Sequence, residues 1–401
     1  MSDHDWQAPG GAPAPGSAPS PGSPAGAPAP GGVPQAGGAS SDSPYGAPLP
    51  PPLPSAPGAW APPPKPGLLP LRPLGFGTLL WAPFTALRRN PAPTFGSGLV
   101  VQLVSAIATA AVVVPFLIFT FSRIENAAAE DLDALTAGGV GGLLLVMLVP
   151  IAISVVASAF LQGVMVVEVA TGTLGERLGF GALWRRAAKR IGPLLGWTAI
   201  VTLAVLLVVA LFVGVVVVGA LTSPAALVVA IVATLLGGLG VVVLAAWLGT
   251  KLAIVPSIIV LEHAGIGTAV RRSWRLTNGY FWRTLGTLLL VALILNVAAQ
   301  VVVQPISLLG TILAVLIDPN GTGSGLTITI ITTVVTLILS IIIGAITAVV
   351  QAALVAVIYV DLRMRQEGLD LELARTVELR DAGHPVGDPF APPQTAGAAT
   401  T

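Results

Sequence analysis

The sequence predicts an all-α fold: a polytopic membrane helix bundle of six transmembrane helices, arranged as three repeats of an interfacial amphipathic helix plus a helical hairpin. Composition is the first observation, because 54% of the 401 residues are hydrophobic and only 9% are charged. A soluble globular protein carries about 25% charged residues. The second observation is a set of six long apolar stretches, and the third is a charged phrase that recurs along the chain.

Each of the six apolar stretches is long enough to cross a bilayer, whose hydrocarbon core takes about 20 helical residues. They cover residues 97–121, 138–167, 193–221, 225–260, 284–317 and 326–359. Backbone groups in lipid must be bonded internally, and a membrane barrel would show short alternating strands, so these stretches are predicted to be helices. Several exceed one straight span, which predicts kinks at Pro150, Pro256 and Pro305.

The connections between these stretches differ in charge. Lys and Arg are concentrated before the first stretch and after the second, fourth and sixth. Residues 122–138 carry one Arg against four acids, and residues 222–225 and 318–325 carry no basic residue. The positive-inside rule therefore predicts six crossings of the cytoplasmic (inner) membrane, with both termini cytoplasmic.

Two tails flank the predicted membrane domain. Residues 1–66 hold more than half of the 36 prolines and are predicted to be a disordered Pro/Gly/Ala-rich cytoplasmic tail, whose Pro-rich pieces are candidates for docking onto a protein partner. This tail lacks a basic region followed by an apolar one, so the first span is expected to act as the targeting signal. The membrane domain covers residues 67–382, including a short C-terminal cytoplasmic helix, and residues 383–401 form a second disordered tail.

The recurring phrase reads ERLGFGALWRRAAKR at 176–190 and EHAGIGTAVRRSWRL at 262–276, with a weaker copy, GFGTLLWAPFTALRR, at 75–89. Positions +1, +5, +9 and +12 from the first Gly of each copy form one apolar helix face. In chain order they are Phe76, Leu80, Phe84 and Leu87, then Phe180, Trp184, Ala188 and Ile191, then Ile266, Val270, Trp274 and Thr277.

Basic residues lie away from this apolar face, so each phrase is predicted to form a short helix that lies flat on the inner leaflet with its guanidinium groups among the lipid phosphates. The candidate contacts to lipid headgroups or to a partner are Arg185, Arg186, Lys189, Arg190, Arg271, Arg272 and Arg275. Three parallel repeats suggest a pseudo-threefold bundle, whose axis is either packed shut or holds a cavity.

Glu168 and Lys251 are the ionisable residues that lie clearly inside apolar stretches. Such residues are candidates for a functional site. Each also lies near a predicted cytoplasmic end, where its side chain can reach the headgroups or pair with an Arg, and this second interpretation is the one we favour.

Three segments carry a resemblance to a known family: PLRPLGFGTLLWAPFTALRRNP at 70–91, RRSWRLTNGYFWRTLG at 271–286 and YVDLRMRQEGLDLELA at 359–374. Over residues 70–380 the chain resembles the bacterial integral-membrane family named after the glycerophosphoryl diester phosphodiesterase membrane domain. That name comes from proteins in which the domain is joined to a catalytic barrel, whereas stand-alone members have no settled activity. The resemblance implies acidic residues near Thr78 and Trp81, which this sequence lacks.

The residues themselves do not support an enzyme. The tails are too short for a phosphodiesterase barrel of about 250 residues, and the spans carry no Ser, His and Asp set, no HExxH and no phosphate-binding loop. No cysteine and only three histidines argue against a metal site, and a net charge of +1 argues against nucleic-acid binding. We therefore expect no catalytic, cofactor-binding or metal-binding residues.

Two classes of function remain. The first is a non-enzymatic membrane protein, a lipid-associated organiser or assembly factor whose basic helices bind anionic headgroups. The alternative is a transporter or channel for a small uncharged or lipidic substrate, with a path lined by amide side chains and Glu168. The middle of every predicted span lacks a charged residue, which favours the first class.

Overall fold

The computed structural model describes residues 67–391 except 129–130, 320–322 and 324, and, inside the third helix, leaves out the side chains of 133–134 and 136–137. The predicted N-terminal tail, 1–66, lies outside the described residues. The helices are α1 (Phe76–Arg89), α2 (Pro91–Glu125), α3 (Leu132–Val146), α4 (Leu148–Thr173), α5 (Phe180–Ala188), α6 (Ile191–Thr222), α7 (Pro224–Leu252), α8 (Val255–Leu261), α9 (Ile266–Thr277), α10 (Phe281–Ile317), α11 (Leu326–Glu367) and α12 (Leu369–Asp381). The described part of the chain contains no strand, as the sequence predicts.

Six helical segments are long and apolar enough to cross a membrane. They are Pro91–Glu125, Gly138–Thr173, Ile191–Thr222, Pro224–Leu261, Phe281–Ile317 and Leu326–Glu367. Each contains one of the six predicted stretches, so the prediction of six membrane helices is confirmed. In the first and third segments, none of the most apolar window is buried inside the protein, which leaves those side chains to contact lipid.

Two of the six segments are interrupted, and proline explains both positions. Proline has no N–H, so the carbonyl four residues before it loses its helical hydrogen bond. The Val146 carbonyl, at the end of α3, therefore lacks a donor at Pro150. The Leu252 carbonyl, at the end of α7, likewise lacks a donor at Pro256. The third predicted kink does not interrupt its helix, because α10 continues through Pro305 from Phe281 to Ile317.

Three short helices, α1, α5 and α9, lie at one end of the bundle. Each begins directly after a glycine with nearly the same extended backbone: Gly75 (φ −67°, ψ 159°), Gly179 (φ −73°, ψ 162°) and Gly265 (φ −71°, ψ 159°). Each packs against the end of a long segment, α5 on α4, α9 on α8, and α1 on α11 from the far end of the chain. Their last turns carry Arg, so we call this end of the bundle the basic end.

The buried core also lies at the basic end. It is formed by the second half of α4, all of α8 and the second half of α11. Val164, Ile258 and Val357, one from each of these helices, are 0% exposed. Farther along the long helices the apolar side chains are mostly exposed, so protein packing holds the helices together mainly at the basic end.

The last described residues, 368–391, pack against this core. Gly368 adopts a left-handed conformation (φ 67°) that ends α11 and starts α12, whose Leu369 and Leu373 are both buried. Residues 383–391 belong to the predicted second tail, and Phe390 within them is 2% exposed. Residues 392–401 lie outside the described part of the chain.

Candidate functional site at the basic end

The three short helices bury a different face from the one that the sequence pattern predicts. The residues at +4 from the first Gly, Leu79, Leu183 and Ala269, are at most 2% exposed, because they pack against the long helices. Most of the predicted stripe lies along the edge of this buried face, where Phe180 is 41% exposed and Trp274 36%, whereas its last member, Thr277, is 0% exposed. The face that packs on the bundle therefore lies about one residue, or 100° around the helix, from the predicted lipid-facing stripe, and the contact of that stripe with lipid stays a prediction.

Trp184 shows why the face is shifted. Its indole N–H donates to the Ser97 hydroxyl on α2 at 2.9 Å, and its ring stacks on Phe160 of α4 with centroids 5.3 Å apart. The side chain predicted to point into the membrane is thus engaged by two long helices. It anchors α5 to the bundle, leaving the opposite side of α5 exposed.

That exposed side of α5 carries Arg185, Arg186 and Lys189, which we call the α5 basic cluster. All three side chains are exposed, and none forms a salt bridge or hydrogen bond with another described residue. Arg190, which the sequence groups with them, is half-buried at the N-terminus of α6. The cluster therefore presents positive charge that no described carboxylate neutralises.

The arginines of α9 are arranged differently. Arg271 is exposed and forms no salt bridge within the described ranges, and the side chain of Arg275 is 70% exposed with its nitrogen 3.9 Å from Glu367. Arg272 is 14% exposed, pairs with Glu262 and lies 2.8 Å from Glu367. Arg272 thus belongs to an internal ion network in which two carboxylates neutralise it, and its predicted contact with headgroups or a partner stays a prediction.

This network continues into α11. The Tyr359 hydroxyl donates to Glu262 at 2.8 Å and accepts from Arg363 at 3.1 Å, and Arg363 lies 3.0 Å from Glu367. Arg363 also donates to the main-chain oxygen of Phe390 at 3.1 Å. Buried charges persist when they are paired and hydrogen-bonded, and both conditions are met for Arg363, which is 2% exposed.

A second cluster surrounds Asp361, which is 2% exposed. Its carboxylate accepts from the Leu74 N–H at 2.8 Å and lies 3.3 Å from Arg283 and 3.1 Å from Arg365. Both arginines also donate to the Leu74 oxygen, at 2.6 and 2.5 Å. The start of α1 is thereby fixed to α10 and α11.

Glu168 and Lys251, the two intramembrane ionisable candidates, both lie near the basic end and are buried. Neither pairs with an Arg: the Asn90 amide lies 3.3 Å from both Glu168 oxygens, and the Lys251 ammonium donates to Asn278 at 2.6 Å. Lys251 also lies over the ring of Trp274, 5.5 Å from its centroid. Both residues are satisfied inside the protein.

Asn90 repeats the geometry seen around Asp361. Its amide contacts an acid, Glu168, and donates at 3.0 Å to the oxygen of Leu178, the residue before the first Gly of the α5 phrase. Arg283 likewise contacts an acid and donates to Leu74, the residue before the first Gly of the α1 phrase. Two of the three short helices are thus fixed by the same combination of acid, donor and main-chain oxygen.

Sequence reasoning missed Asp361, Asn90 and Asn278. In a chain with 9% charged residues, an acid at the end of an apolar stretch was the available signal for Asp361. The asparagines stand directly after α1 and α9, a shared position that could have drawn attention to them. Within the described ranges, no group of three or more His, Asp or Glu side chains is placed to hold a metal ion.

Comparison with known proteins gives one match. A family model described as the membrane domain of glycerophosphoryl diester phosphodiesterase matches residues 92–380, which is well over half of the chain. The match extends from the start of α2 to the end of α12, so α1 lies before it. No curated protein and no solved structure matches the chain.

Proposed function

Because the chain belongs to the family of the membrane domain of glycerophosphoryl diester phosphodiesterase, we propose that it is a non-enzymatic, lipid-associated organiser or assembly factor of the cytoplasmic membrane. Its basic end faces the cytoplasm, in accord with the positive-inside rule, and binds anionic lipid headgroups. The matched region is the membrane domain, which supports a role in the membrane without supplying a hydrolytic one.

The observation that carries this proposal is the exposed, unneutralised α5 basic cluster. Arg185, Arg186 and Lys189 stand on a helix that Trp184 and Leu183 hold against the bundle. Each basic residue near an anionic surface contributes about 1 kcal/mol to binding. The three together therefore favour an anionic headgroup by about 3 kcal/mol, which is on the order of 100-fold in affinity.

We further propose that the fold consists of three units, each an interfacial helix followed by a hairpin. The matching glycine conformations before α1, α5 and α9 support this division. The helix contacts support it too, because each short helix packs against the last helix of another unit: α5 against α4, α9 against α8, and α1 against α11. A third support is the shared acid, donor and main-chain oxygen around Leu74 and Leu178.

Tight packing at the basic end favours an organiser over a transporter. A transport path along the bundle axis would have to pass between α4, α8 and α11 at this end. Val164, Ile258 and Val357 are 0% exposed there, and Arg363 is bonded to Tyr359 and Glu367 below them. Opening such a path would require breaking this network.

The test is to purify the protein in native lipid nanodiscs and identify the accompanying lipids by mass spectrometry. The variant is Arg185→Gln with Arg186→Gln. The matched control is Arg375→Gln with Arg380→Gln, which removes the same charge from α12 and also the exposed contact of Arg380 with Glu176 at 3.7 Å. We expect an anionic lipid to be enriched with wild type and control and lost from the variant.

Two other results would contradict the proposal. If lipid content is the same for all three proteins, the arginines of α5 do not bind headgroups. If the variant loses a protein partner and keeps its lipids, the α5 basic cluster is a protein-docking surface.

A further inference from the structure

A groove of about 370 Å³ lies between α2, α4 and α6, away from the basic end. Its wall includes four hydroxyl side chains, Thr109, Ser154, Ser158 and Thr202, and no charged residue. Its volume falls in the range of small-molecule sites, roughly 300–1,000 Å³. Met147, where α3 gives way to α4, also lines the groove, and interrupted helices at membrane depth are tolerated where they line a cavity.

The four hydroxyl groups fall into two classes. Thr109 donates to the main-chain oxygen of Ser105 at 2.8 Å, and Ser158 donates to the main-chain oxygen of Val155 at 3.0 Å. Both hydroxyls are therefore satisfied within their own helices. Ser154 and Thr202 form no hydrogen bond with any part of the chain that the structure describes. They stand on two different helices, α4 and α6, and line the same groove.

Depth determines what can satisfy these two hydroxyls. Thr202 lies eleven residues after Ile191, the first residue of α6, which places it about 17 Å along the helix from the basic end. The hydrocarbon core is about 30 Å thick, so the groove lies near its middle. Water is scarce there, and the charged headgroup of a phospholipid stays at the surface. A hydroxyl without a partner in this medium carries a free-energy cost.

We propose that this groove binds a neutral lipid with an ester or hydroxyl oxygen, of the diacylglycerol type. The oxygen of the lipid accepts hydrogen bonds from Ser154 and Thr202, and an acyl chain lies against Ile151 and Val155. The uncharged wall excludes an ionic ligand, and the two free hydroxyls distinguish an oxygen-bearing lipid from a plain hydrocarbon chain. This inference does not depend on headgroup binding at the α5 basic cluster.

The test is photo-crosslinking in nanodiscs with a diacylglycerol that carries a diazirine in one acyl chain. A phosphatidylglycerol with the same modified chain is the comparison probe. We expect the diacylglycerol label to map to the α4 and α6 peptides around Ser154 and Thr202, and to be displaced by unlabelled diacylglycerol. Equal labelling of these peptides by both probes, or label spread over all lipid-facing helices, would overturn the proposal.

The variant is Ser154→Ala with Thr202→Val, which removes the two hydroxyls and keeps the shape of the groove nearly unchanged. The matched control is Ser307→Ala with Thr311→Val on α10, where Thr311 bonds the Ser307 oxygen at 2.9 Å and neither residue lines the groove. We expect groove labelling to fall about tenfold in the variant and to stay unchanged in the control. Undiminished labelling of the variant would show that the hydroxyls do not bind the lipid. Displacement by unlabelled diacylglycerol in the wild-type protein gives a second readout that needs no variant.

Discussion

Replacing Tyr359 by Phe removes one oxygen from the centre of the buried ion network. That oxygen donates to Glu262 at 2.8 Å and accepts from Arg363 at 3.1 Å, and the Tyr359 side chain is fully buried. Phe has the same ring, so no large cavity is created. A hydrogen bond to a charged group contributes about 1.5–3 kcal/mol, and both bonds are lost while their charged partners stay buried. We therefore expect the free energy of unfolding to fall by about 3 kcal/mol.

The assay is reversible unfolding in mixed detergent micelles, followed by tryptophan fluorescence. Tyr280→Phe is the matched control, because the Tyr280 ring lies 5.9 Å from the Arg365 guanidinium and its hydroxyl bonds no other described residue. We expect the control to stay within about 0.5 kcal/mol of wild type. If Tyr359→Phe is equally neutral, the network does not hold α9 and α11 together, and our account of the basic end is wrong.

Three further predictions follow from the same structure. Gly98→Ala would place a Cβ 2.8 Å from the Ala345 main-chain oxygen, so it should force α2 away from α11 and lower the unfolding temperature. The control is Gly214→Ala, whose Cβ meets no atom within 4 Å and which should therefore be neutral or stabilising. Phe390→Ala should lower the free energy of unfolding by about 3 kcal/mol, because a buried aromatic side chain is lost, and micelle unfolding would measure it. The chain has no cysteine, so single Ser122→Cys and Ala382→Cys variants can each be labelled with a maleimide that does not cross the membrane. Only Ser122→Cys should react in intact cells, because the predicted topology places Ala382 on the cytoplasmic side.

The long helices could be predicted from sequence because lipid imposes a simple rule of length and polarity. All six predicted stretches lie inside the observed segments, and two of the three predicted proline positions coincide with interruptions. Pro305 differs because α10 continues through it. The sequence pattern alone does not distinguish a proline that interrupts a helix from one that lies inside a continuous helix.

The short helices could be predicted as amphipathic, but their buried face could not. Hydrophobic periodicity ranks Phe180 and Trp184 above Leu183 and Ala187 as membrane-facing residues. The bundle instead buries Leu183 and Ala187, both 0% exposed, because small and aliphatic side chains allow α5 to approach α4 closely. Which face packs depends on the neighbouring helix, and a single amphipathic segment does not contain that information.

The sequence pattern also did not predict which arginines are exposed and which are paired with carboxylates. Arg186 and Arg272 occupy the same place in two copies of one phrase, yet Arg186 is exposed and Arg272 is paired with Glu262 and Glu367. Glu367 is 95 residues from Arg272 along the chain. They come together only because α11 returns to the basic end. The sequence pattern therefore could not separate the exposed arginines of the candidate headgroup site from the paired ones.

The most direct test of the central claim, that the basic end binds anionic lipid through α5, is the affinity of the purified protein for phosphatidylglycerol. Wild type and the variant Arg185→Gln, Arg186→Gln and Lys189→Gln would be titrated with this lipid in neutral nanodiscs at one salt concentration. Loss of about 3 kcal/mol predicts a weakening on the order of 100-fold, with little change for a neutral phosphatidylcholine. Equal affinity of the two proteins for phosphatidylglycerol would contradict the claim.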